Sequence, residues 1–305
     1  MPSHPTQLKF DTDFEPKTGQ LVTIAPGLAR ITAPNSGPFT FTGTNTFIVG
    51  DENIGIIDPG PDDDDHLKAI IGAVAGRTVT AILLTHTHKD HSNLVRRLTT
   101  EINAPIWFEG AHHLSRPRRT FEFNPLSGAC DWRLTPDRKL IDGEIIQFGK
   151  TALKVIATPG HCANHLAFGV VDTDFMLTGD HVMGWSSTLV ATPDGSMADY
   201  LSSLDRLLEL EWNHYLPAHG GAIKKGRDFA KALKAHRIMR NTQILDALAA
   251  KGLTATDLLN QIYPKTQGRL RFAARLTLSA HLEFLVQTGK VSSKFSFTGR
   301  QYFPT

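Results

Sequence analysis

Short runs of β-branched and other apolar residues alternate with helical segments through the first two thirds of the chain. The runs predict strands at 46–49, 54–57, 79–84, 153–156 and 166–171. Helices are predicted at 65–75, from Ser92 onward, and from an N-cap at Asp199. The acidic run at 62–65 is expected to form the N-terminus of the first helix. The alternation predicts an α/β sandwich, with an irregular insertion at 110–143.

The last third of the chain follows another pattern. Helical periodicity covers 228–250 and 270–287, and a capping-box sequence at Thr254 opens a shorter helix between them. Gly289 is suited to end the last helix. A small β-hairpin is predicted over 290–291 and 295–303, turning near Thr298 and Gly299. Three helices followed by a hairpin are the order of a winged-helix domain.

Charge divides the chain at the same place. Residues 1–221 carry 17 Lys and Arg against 26 Asp and Glu, a net charge of −9. Residues 222–305 carry 15 against 4, a net charge of +11. The sign changes at Gly220 and Gly221, so we predict two domains, 1–221 and 222–305.

Composition excludes several classes of protein. With 41% hydrophobic and 20% charged residues in 305, the chain is neither disordered nor fibrous. No apolar stretch approaches the roughly 18 to 20 residues that span a bilayer, and the N-terminal sequence resembles no targeting segment. Cys130 and Cys162 are the only cysteines. We therefore expect a cytoplasmic protein without a membrane partner.

The clearest chemical signal follows the strand at 79–84. The sequence Thr-His-Thr-His-Lys-Asp-His at 85–91 brings His86, His88, Asp90 and His91 within six residues. Neutral imidazoles and carboxylates are zinc ligands, and a loop that leaves a buried strand can direct several of them to one point. This spacing predicts a metal site.

Further ligands must come from other loops, because four donors do not complete two tetrahedral sites. His161, Asp180 and His219 each follow an apolar run and stand among small residues, in the sequences TPGH, TGD and PAHG. Glycine and proline permit the sharp turn that directs such a side chain back over the strand ends. All three are predicted to join the metal site.

These motifs, in this order, resemble the binuclear metallo-β-lactamase superfamily over residues 20–221. The resemblance implies an αββα sandwich with two divalent metal ions, zinc by preference, although Fe or Mn also suits the donors. It places His86, His88 and His161 on the first ion and Asp90, His91 and His219 on the second. Asp180 would bridge them. A hydroxide shared by the ions would attack the substrate, and Asp90 would orient it, so Asp90 and Asp180 are the catalytic candidates.

Neighbouring residues are given supporting roles. Asp58 resembles the family's structural aspartate and is expected to hydrogen-bond to the site. His165 is expected to contact the substrate or a metal ligand, or to have a buried structural role. His181 and Cys162 adjoin predicted ligands, but their side chains are expected to point away from the metals.

The basic domain bears on the substrate. Together with two sequences in the first domain, Gly-Thr-Asn-Thr at 43–46 and Gly-Asp-His-Val-Met-Gly-Trp at 179–185, this domain makes the chain resemble the lactamase-β-like branch of the superfamily. That branch includes an endoribonuclease of single-stranded RNA. Single-stranded RNA is therefore the leading substrate, and a small ester, thioester or lactone is the alternative. A nucleic-acid-binding regulator with a sensing metal site is a competing class.

The positive charge also suits roles that involve no nucleic acid. Docking of the basic helices on the acidic domain, homodimer formation and solvation alone are the alternatives. The hairpin aromatics at 295–303 suit base stacking or packing against the helices. Arg116, Arg118 and Arg119 in the insertion form either a phosphate contact or a solvated loop.

Overall fold

The computed structural model describes residues 8–249, 251–296 and 299–305. Its first sheet contains seven strands in sequence order. They are β1 (Val22–Ala25), β2 (Leu28–Thr32), β3 (Asn45–Gly50), β4 (Asn53–Ile57), β5 (Thr78–Leu83), β6 (Ile106–Phe108) and β7 (Arg138–Lys139). β4 and β5 run parallel, so both end at the same edge of the sheet.

A second, five-stranded sheet packs on the first. Its strands are β8 (Ile145–Phe148), β9 (Thr151–Ala157), β10 (Leu166–Val170), β11 (Phe175–Gly179) and β12 (His214–Pro217), in the order β12-β11-β10-β9-β8. The inner core joins apolar side chains of both sheets, among them Phe47, Leu83, Phe148 and Phe168. Two β-sheets with a shared core form the inner layers of the sandwich.

Helices cover both outer faces. The first sheet is covered by α1 (Asp64–Val74) and α3 (Val95–Ile102), and the short α2 (Lys89–Ser92) lies in the loop after β5. The core between this sheet and its helices includes Ile54, Ile70 and Leu98. The second sheet is covered by α4 (Met197–Glu209), with Met176 and Tyr200 in its core. These four layers confirm the expected αββα sandwich.

Helix starts follow local capping. Asp63 caps α1 by accepting a hydrogen bond from the backbone of His66 at 2.8 Å, as expected for the acidic run. The prediction of Asp199 as the N-cap of α4 was wrong, because Ser196 caps that helix and accepts from the Asp199 amide at 3.2 Å. Asp199 instead lies in the first turn, where its carboxylate favours the helix dipole.

The C-terminal region contains three helices and a small sheet. They are α5 (Gly226–Leu248), α6 (Ala255–Ile262), α7 (Gly268–Gln287), β13 (Leu253–Thr254), β14 (Val291–Ser296) and β15 (Gly299–Pro304). Thr254 and Asp257 form the predicted capping box, and Gly289 follows the end of α7 with a φ of +69°. The hairpin was predicted, but its turn at Thr298 lies outside the described residues. The pairing of β13 with β15 was not predicted.

Helix α5 contributes to two cores. Ala230 and Leu233 pack with the residues of α4 and the second sheet, whereas Ile244 and Leu248 pack with α6 and α7. The helix that follows the predicted domain boundary therefore covers the sandwich as well as the C-terminal region.

The insertion at 110–143 has little regular structure and is tied to the C-terminal region by ion pairs. Arg116 bonds to Glu122 and Glu283, with Nη2 of Arg116 2.7 Å from both carboxylates. Arg119 also pairs with Glu283, at 3.1 Å. Arg116 is therefore neither a free phosphate contact nor solvated, since two carboxylates of the protein bind its guanidinium. Arg119 is exposed as well as paired, as expected of a solvated loop. In the described part of the chain, no helix is long and apolar enough to cross a membrane.

Candidate metal centre

The predicted ligands meet at one edge of the sandwich because each follows the end of a strand. His86, His88, Asp90 and His91 follow β5, His161 follows β9, Asp180 follows β11, and His219 follows β12. The two sheets are joined at this edge by a hydrogen bond from the Leu166 amide to the Thr85 carbonyl, 2.7 Å long. The Asn45 side chain donates to the Pro217 carbonyl at 3.0 Å and so ties β3 to the end of β12.

The turn before Asp180 requires glycine. Gly179 has a φ of +51°, and a β-carbon there would lie 2.6 Å from Nε2 of His165 and 2.9 Å from the side chain of Thr85. Any larger residue would displace Asp180 or the histidine beneath it. The sequence Thr-Gly-Asp thus has a steric reason as well as a chemical one.

Three imidazoles form the first group. Nε2 of His86 lies 3.1 Å from Nδ1 of His88, and Nε2 of His161 lies 2.9 Å from the same Nδ1 atom. The opposite nitrogens face hydrogen-bond acceptors: the Thr85 hydroxyl for His86, the Asp194 carboxylate for His88 and the Leu189 carbonyl for His161. These partners place the ring protons on the outer nitrogens, and therefore three lone pairs face one another.

Three lone pairs in contact repel unless a proton or a cation lies between them. Burial, with the neighbouring histidines, lowers the pKa of His86 well below its usual range, and burial lowers the pKa of His161 to about 4. Both rings are therefore neutral near pH 7. One proton on His88 can satisfy only part of the group, whereas a cation accepts all three lone pairs.

Asp90, His91 and His219 form the second group. Nε2 of His219 lies 3.4 Å from Oδ2 of Asp90, and Nε2 of His91 lies 3.6 Å from the same oxygen. Both imidazole Nε2 atoms are buried and have no hydrogen-bond partner among the described residues. Burial opposes their charged forms, but the surrounding carboxylates raise the pKa of His219 to about 9 and that of His91 well above its usual range. Buried imidazole nitrogens without a hydrogen-bond partner, placed beside a carboxylate, are suited to bind a divalent cation.

Asp180 lies between the two groups. Its Oδ1 is 3.3 Å from Nε2 of His219 and 3.6 Å from Nε2 of His91, while its Oδ2 is 3.6 Å from Nε2 of His161. Oδ1 has no hydrogen-bond partner in the described structure. One oxygen thus faces each group, which is the arrangement expected of a bridging carboxylate. All seven predicted residues are brought together, and their donor set fits a metal site.

Asp58 supports the centre from below, as expected. Its carboxylate accepts hydrogen bonds from the Thr85 amide at 2.7 Å, from the Thr85 hydroxyl at 2.7 Å and from Nδ1 of His91 at 3.0 Å. These bonds fix the orientation of His91 and the start of the metal-binding loop.

The other residues singled out from sequence have structural contacts. Nε2 of His165 accepts the Asp180 amide proton at 3.1 Å, so this buried ring holds the backbone of Asp180. His181 packs against Tyr200 on the other side of the strand end. Cys162 is buried beside Asn164, and burial raises the pKa of its thiol well above its usual range. As expected, neither His181 nor Cys162 belongs to a ligand group.

Asp194 is the residue that sequence reasoning missed. Its buried carboxylate accepts hydrogen bonds from Nε2 of His88 at 2.9 Å and from Nε2 of His112 at 2.8 Å, and Cys130 contacts it at 3.6 Å. In the sequence, Pro-Asp-Gly at 193–195 indicates only a turn. Nothing in that pattern points to His88, 106 residues earlier.

Comparison with known proteins identifies the family of the two regions. Residues 39–219 match the family model described as the metallo-beta-lactamase superfamily, and residues 254–299 match that of the beta-lactamase associated winged helix domain. The chain is 26% identical over 275 residues to the beta-lactamase-like protein 2 homolog of Caenorhabditis elegans, covering 88% of each chain. It is 26% identical over 265 residues to an atrochrysone carboxyl ACP thioesterase of Claviceps purpurea, covering 84% of this chain and 78% of that protein.

Solved structures share the whole architecture. A beta-lactamase domain protein from Burkholderia ambifaria superposes with a TM-score of 0.80 at 22% identity, over 96% of both chains. A metallo-beta-lactamase family protein from Thermus thermophilus gives a TM-score of 0.74 at 25% identity, over 93% of this chain and 100% of that one. With its donor set and with a family match over more than half of its length, the chain belongs to the metallo-β-lactamase superfamily, and it is a metal-dependent hydrolase with an associated winged-helix domain.

Proposed function

We propose that the protein is a binuclear, zinc-dependent hydrolase of thioesters that carry an apolar acyl group. The observation that carries this proposal is a cavity of about 320 Å³ directly over the metal centre. Four polar residues of the centre line it: His88, Asp90, His161 and Asp180. The remaining walls are mostly apolar: Phe39, Leu126, Ala129, Met183, Leu189 and Phe272, with Lys89 as the exception.

The apolar walls favour an acyl chain over a nucleic acid at this position. An alkyl or aryl group gains roughly 25 cal/mol for each Å² that it removes from water. A phosphodiester backbone in the same place would lose hydration without finding hydrogen-bond donors on the apolar walls, and this costs free energy. The size of the cavity is within the usual range for a small-molecule site.

The seven clustered residues are proposed to hold the metals. His86, His88 and His161 would bind one ion, Asp90, His91 and His219 the other, and Asp180 both. When bound, such ions supply Lewis-acid polarisation of the acyl carbonyl and lower the pKa of water. The donors also accept Fe or Mn, so zinc is the finer part of the proposal.

The residues of the chain orient the reaction. Asp90 faces the cavity with a partly exposed carboxylate, where it can accept a hydrogen bond from the attacking water. Asp180 fixes the spacing of the two groups. The leaving group of a thioester is a thiolate, whose conjugate acid has a pKa near 8.5, so its departure requires no proton from the protein.

The chain's relatives add independent support. One of them is named as a thioesterase of an acyl carrier protein, and the similarity covers 84% of this chain. Fold alone does not fix a substrate, so this likeness supports the proposal only together with the apolar cavity.

Cleavage of single-stranded RNA is the second candidate. The net charge of +11 on residues 222–305 favours it, because phosphate binding needs such a surface. The pair of Lys234 with Asp205 neutralises one of these positive charges, whereas Glu283 neutralises Arg116 and Arg119 of the insertion.

A direct comparison of substrates tests the proposal. Purified protein loaded with Zn²⁺, Mn²⁺ or Fe²⁺ would be given acyl thioesters of increasing chain length and, in parallel, end-labelled single-stranded RNA. Thiol release that requires metal and rises with chain length is expected. RNA cleavage without thioester turnover would overturn the proposal in favour of the second candidate. A chelated sample and Asp180→Asn serve as controls.

A further inference from the structure

A second cavity adjoins the one over the metal centre. It has a volume of about 260 Å³ and shares Phe39, Met183 and Leu189 with the first. Its other walls come from α5, from the N-terminal half of α7, from the segment at 185–187 and from Tyr263 and Thr266 after α6. A molecule bound at the metal centre thus has a continuation between the sandwich and the C-terminal region.

Four nitrogen atoms of the residues that line this second cavity have no hydrogen-bond partner in the described part of the chain. They are Nε1 of Trp185, Nδ1 of His236, Nε of Arg237 and Nε of Arg240. All four atoms are buried, and Arg237 as a whole is only 3% exposed. The tryptophan and arginine atoms are always hydrogen-bond donors. These unpaired donors belong to residues that line one cavity, and a small shift of their side chains would give them partners in an acceptor-rich ligand there.

Other bonds hold the two guanidinium groups in place. Arg237 donates through Nη2 to the Thr188 carbonyl and lies over the Tyr200 ring. Arg240 donates through Nη1 to Gln243 at 2.7 Å and lies over the Tyr263 ring, 4.4 Å from its centre. Because both groups are fixed before any ligand binds, little conformational entropy is lost on binding.

The charge of this cavity is uncompensated. Arg237, Arg240 and the exposed Arg269 all line it, and no carboxylate is found among its described lining residues. Within the described chain, neither Arg237 nor Arg240 forms an ion pair, in contrast to Arg116 and Arg119. Three cationic groups that line one cavity without an anionic partner repel one another, and an anionic ligand would compensate their charge.

We propose that the second cavity binds the thiol arm of the substrate, a chain of amides that ends in a phosphate, as in phosphopantetheine. This inference rests on the proposed thioesterase function. The acyl group would occupy the apolar cavity, and the thioester carbon would lie at the metal centre. The amide oxygens of the arm would accept from Trp185 and Arg237, while the phosphate would bind the guanidinium groups of Arg240 and Arg269.

A pair of substrates tests this arrangement and separates the loss of phosphate recognition from the loss of folded protein. The same acyl group would be presented on phosphopantetheine and on pantetheine, which lacks the phosphate. The wild-type protein should favour the phosphorylated thioester by about tenfold or more in kcat/KM, the usual effect of a charge-assisted contact. Arg240→Met and Arg269→Met should bring this ratio close to one. A misfolded variant would lose both activities without changing their ratio.

Arg275→Met is the matched control. Arg275 is an exposed arginine on α7 that does not line the cavity, and its replacement changes the net charge equally. The wild-type preference should persist in this variant. Loss of the preference in Arg275→Met as well would assign it to overall charge and overturn the proposal.

Titration calorimetry separates the subsite from the catalytic proposal. Phosphopantetheine should bind the wild-type protein, and pantetheine or the Arg240→Met variant should give binding about tenfold weaker or more. If thioesters are hydrolysed with no preference for the phosphate, the proposed function stands and the subsite is wrong. If no thioester is hydrolysed, the function is wrong, and calorimetry alone decides the subsite. Binding of a 5′-phosphorylated oligoribonucleotide without binding of phosphopantetheine would overturn the assignment.

Discussion

The carboxylate of Asp194 accepts a hydrogen bond from Nε2 of His88, 2.9 Å away, while the other ring nitrogen of His88 faces the metal centre. The second oxygen of the same carboxylate accepts from His112 at 2.8 Å. Asp194 therefore fixes both the tautomer and the orientation of a candidate ligand without touching the metal site. Loss of such a supporting contact typically lowers metal affinity or activity by about 10- to 100-fold.

Asp194→Asn should lower metal affinity by about 10- to 100-fold while leaving the fold intact. An amide offers one acceptor and one donor group, so either His88 or His112 would face an N–H and lose its bond. Competition with a chromogenic chelator measures the affinity. Asp65→Asn is the control, because Asp65 is an exposed carboxylate whose one ion pair among the described residues is with Lys68, and its replacement changes the charge equally. Wild-type affinity in Asp194→Asn would contradict the positioning role.

Asp180→Asn should bind fewer metal ions than the wild type and should lose at least about 100-fold of its activity. This loss should exceed that of Asp194→Asn. The reason is that the two oxygens of Asp180 face different groups. The neutral amide of asparagine has only one oxygen, so it can bind only one of the two ions. Metal content by elemental analysis and turnover of the best thioester measure the two effects. Near-wild-type turnover with two ions bound would refute the bridging role of Asp180.

Metal binding should release protons near neutral pH. The pKa of His219 is raised to about 9 and that of His91 well above its usual range, so both rings are protonated at pH 7 in the metal-free protein. A cation needs their lone pairs, and each proton must leave. Affinity should therefore rise with pH up to about 9, by about tenfold per unit for each proton released.

Calorimetry in two buffers of different ionisation enthalpy measures this release. The His219→Asn variant should release about one proton fewer than the wild type. A binding enthalpy that does not depend on the buffer would show that these histidines are already neutral, which would contradict the prediction.

Much of the sandwich and of the candidate centre could be predicted from sequence, because short-range patterns determine them. Strand β5 ends in a buried apolar run, Ala81 to Leu83, and the donors of 86–91 come soon after it. His161, Asp180 and His219 could be found because each also follows a strand and stands beside glycine or proline.

Features that depend on distant partners were missed. Asp194 lies 106 residues from His88, and Glu283 lies 167 residues from Arg116, so neither pairing has a local signal. Strand β13 has only two residues and exists because β15 pairs with it. Ser196 rather than Asp199 caps α4, although both residue types are good caps, because the Ser196 backbone is extended there. The role of the positive charge on residues 222–305, for which nucleic-acid binding is expected, stays a prediction.

The boundary predicted at residue 221 divides a shared core, and this leads to a last prediction about stability. Leu233 on α5 is buried with the residues of α4, so Leu233→Ala should destabilise the sandwich by about 2 to 5 kcal/mol. Ile238→Ala on the same helix should change stability by less than about 0.5 kcal/mol, since Ile238 is 49% exposed. Thermal unfolding followed by circular dichroism measures both.

Truncation extends the same test. A chain that ends at residue 221 would expose the part of the sandwich core that Ala230 and Leu233 cover, and exposed apolar surface of this kind promotes aggregation. We expect it to be less soluble than the full chain and to melt at a lower temperature. If residues 1–221 alone unfold cooperatively at the temperature of the whole protein, α5 contributes nothing to the sandwich and the division into 1–221 and 222–305 holds in energetic terms.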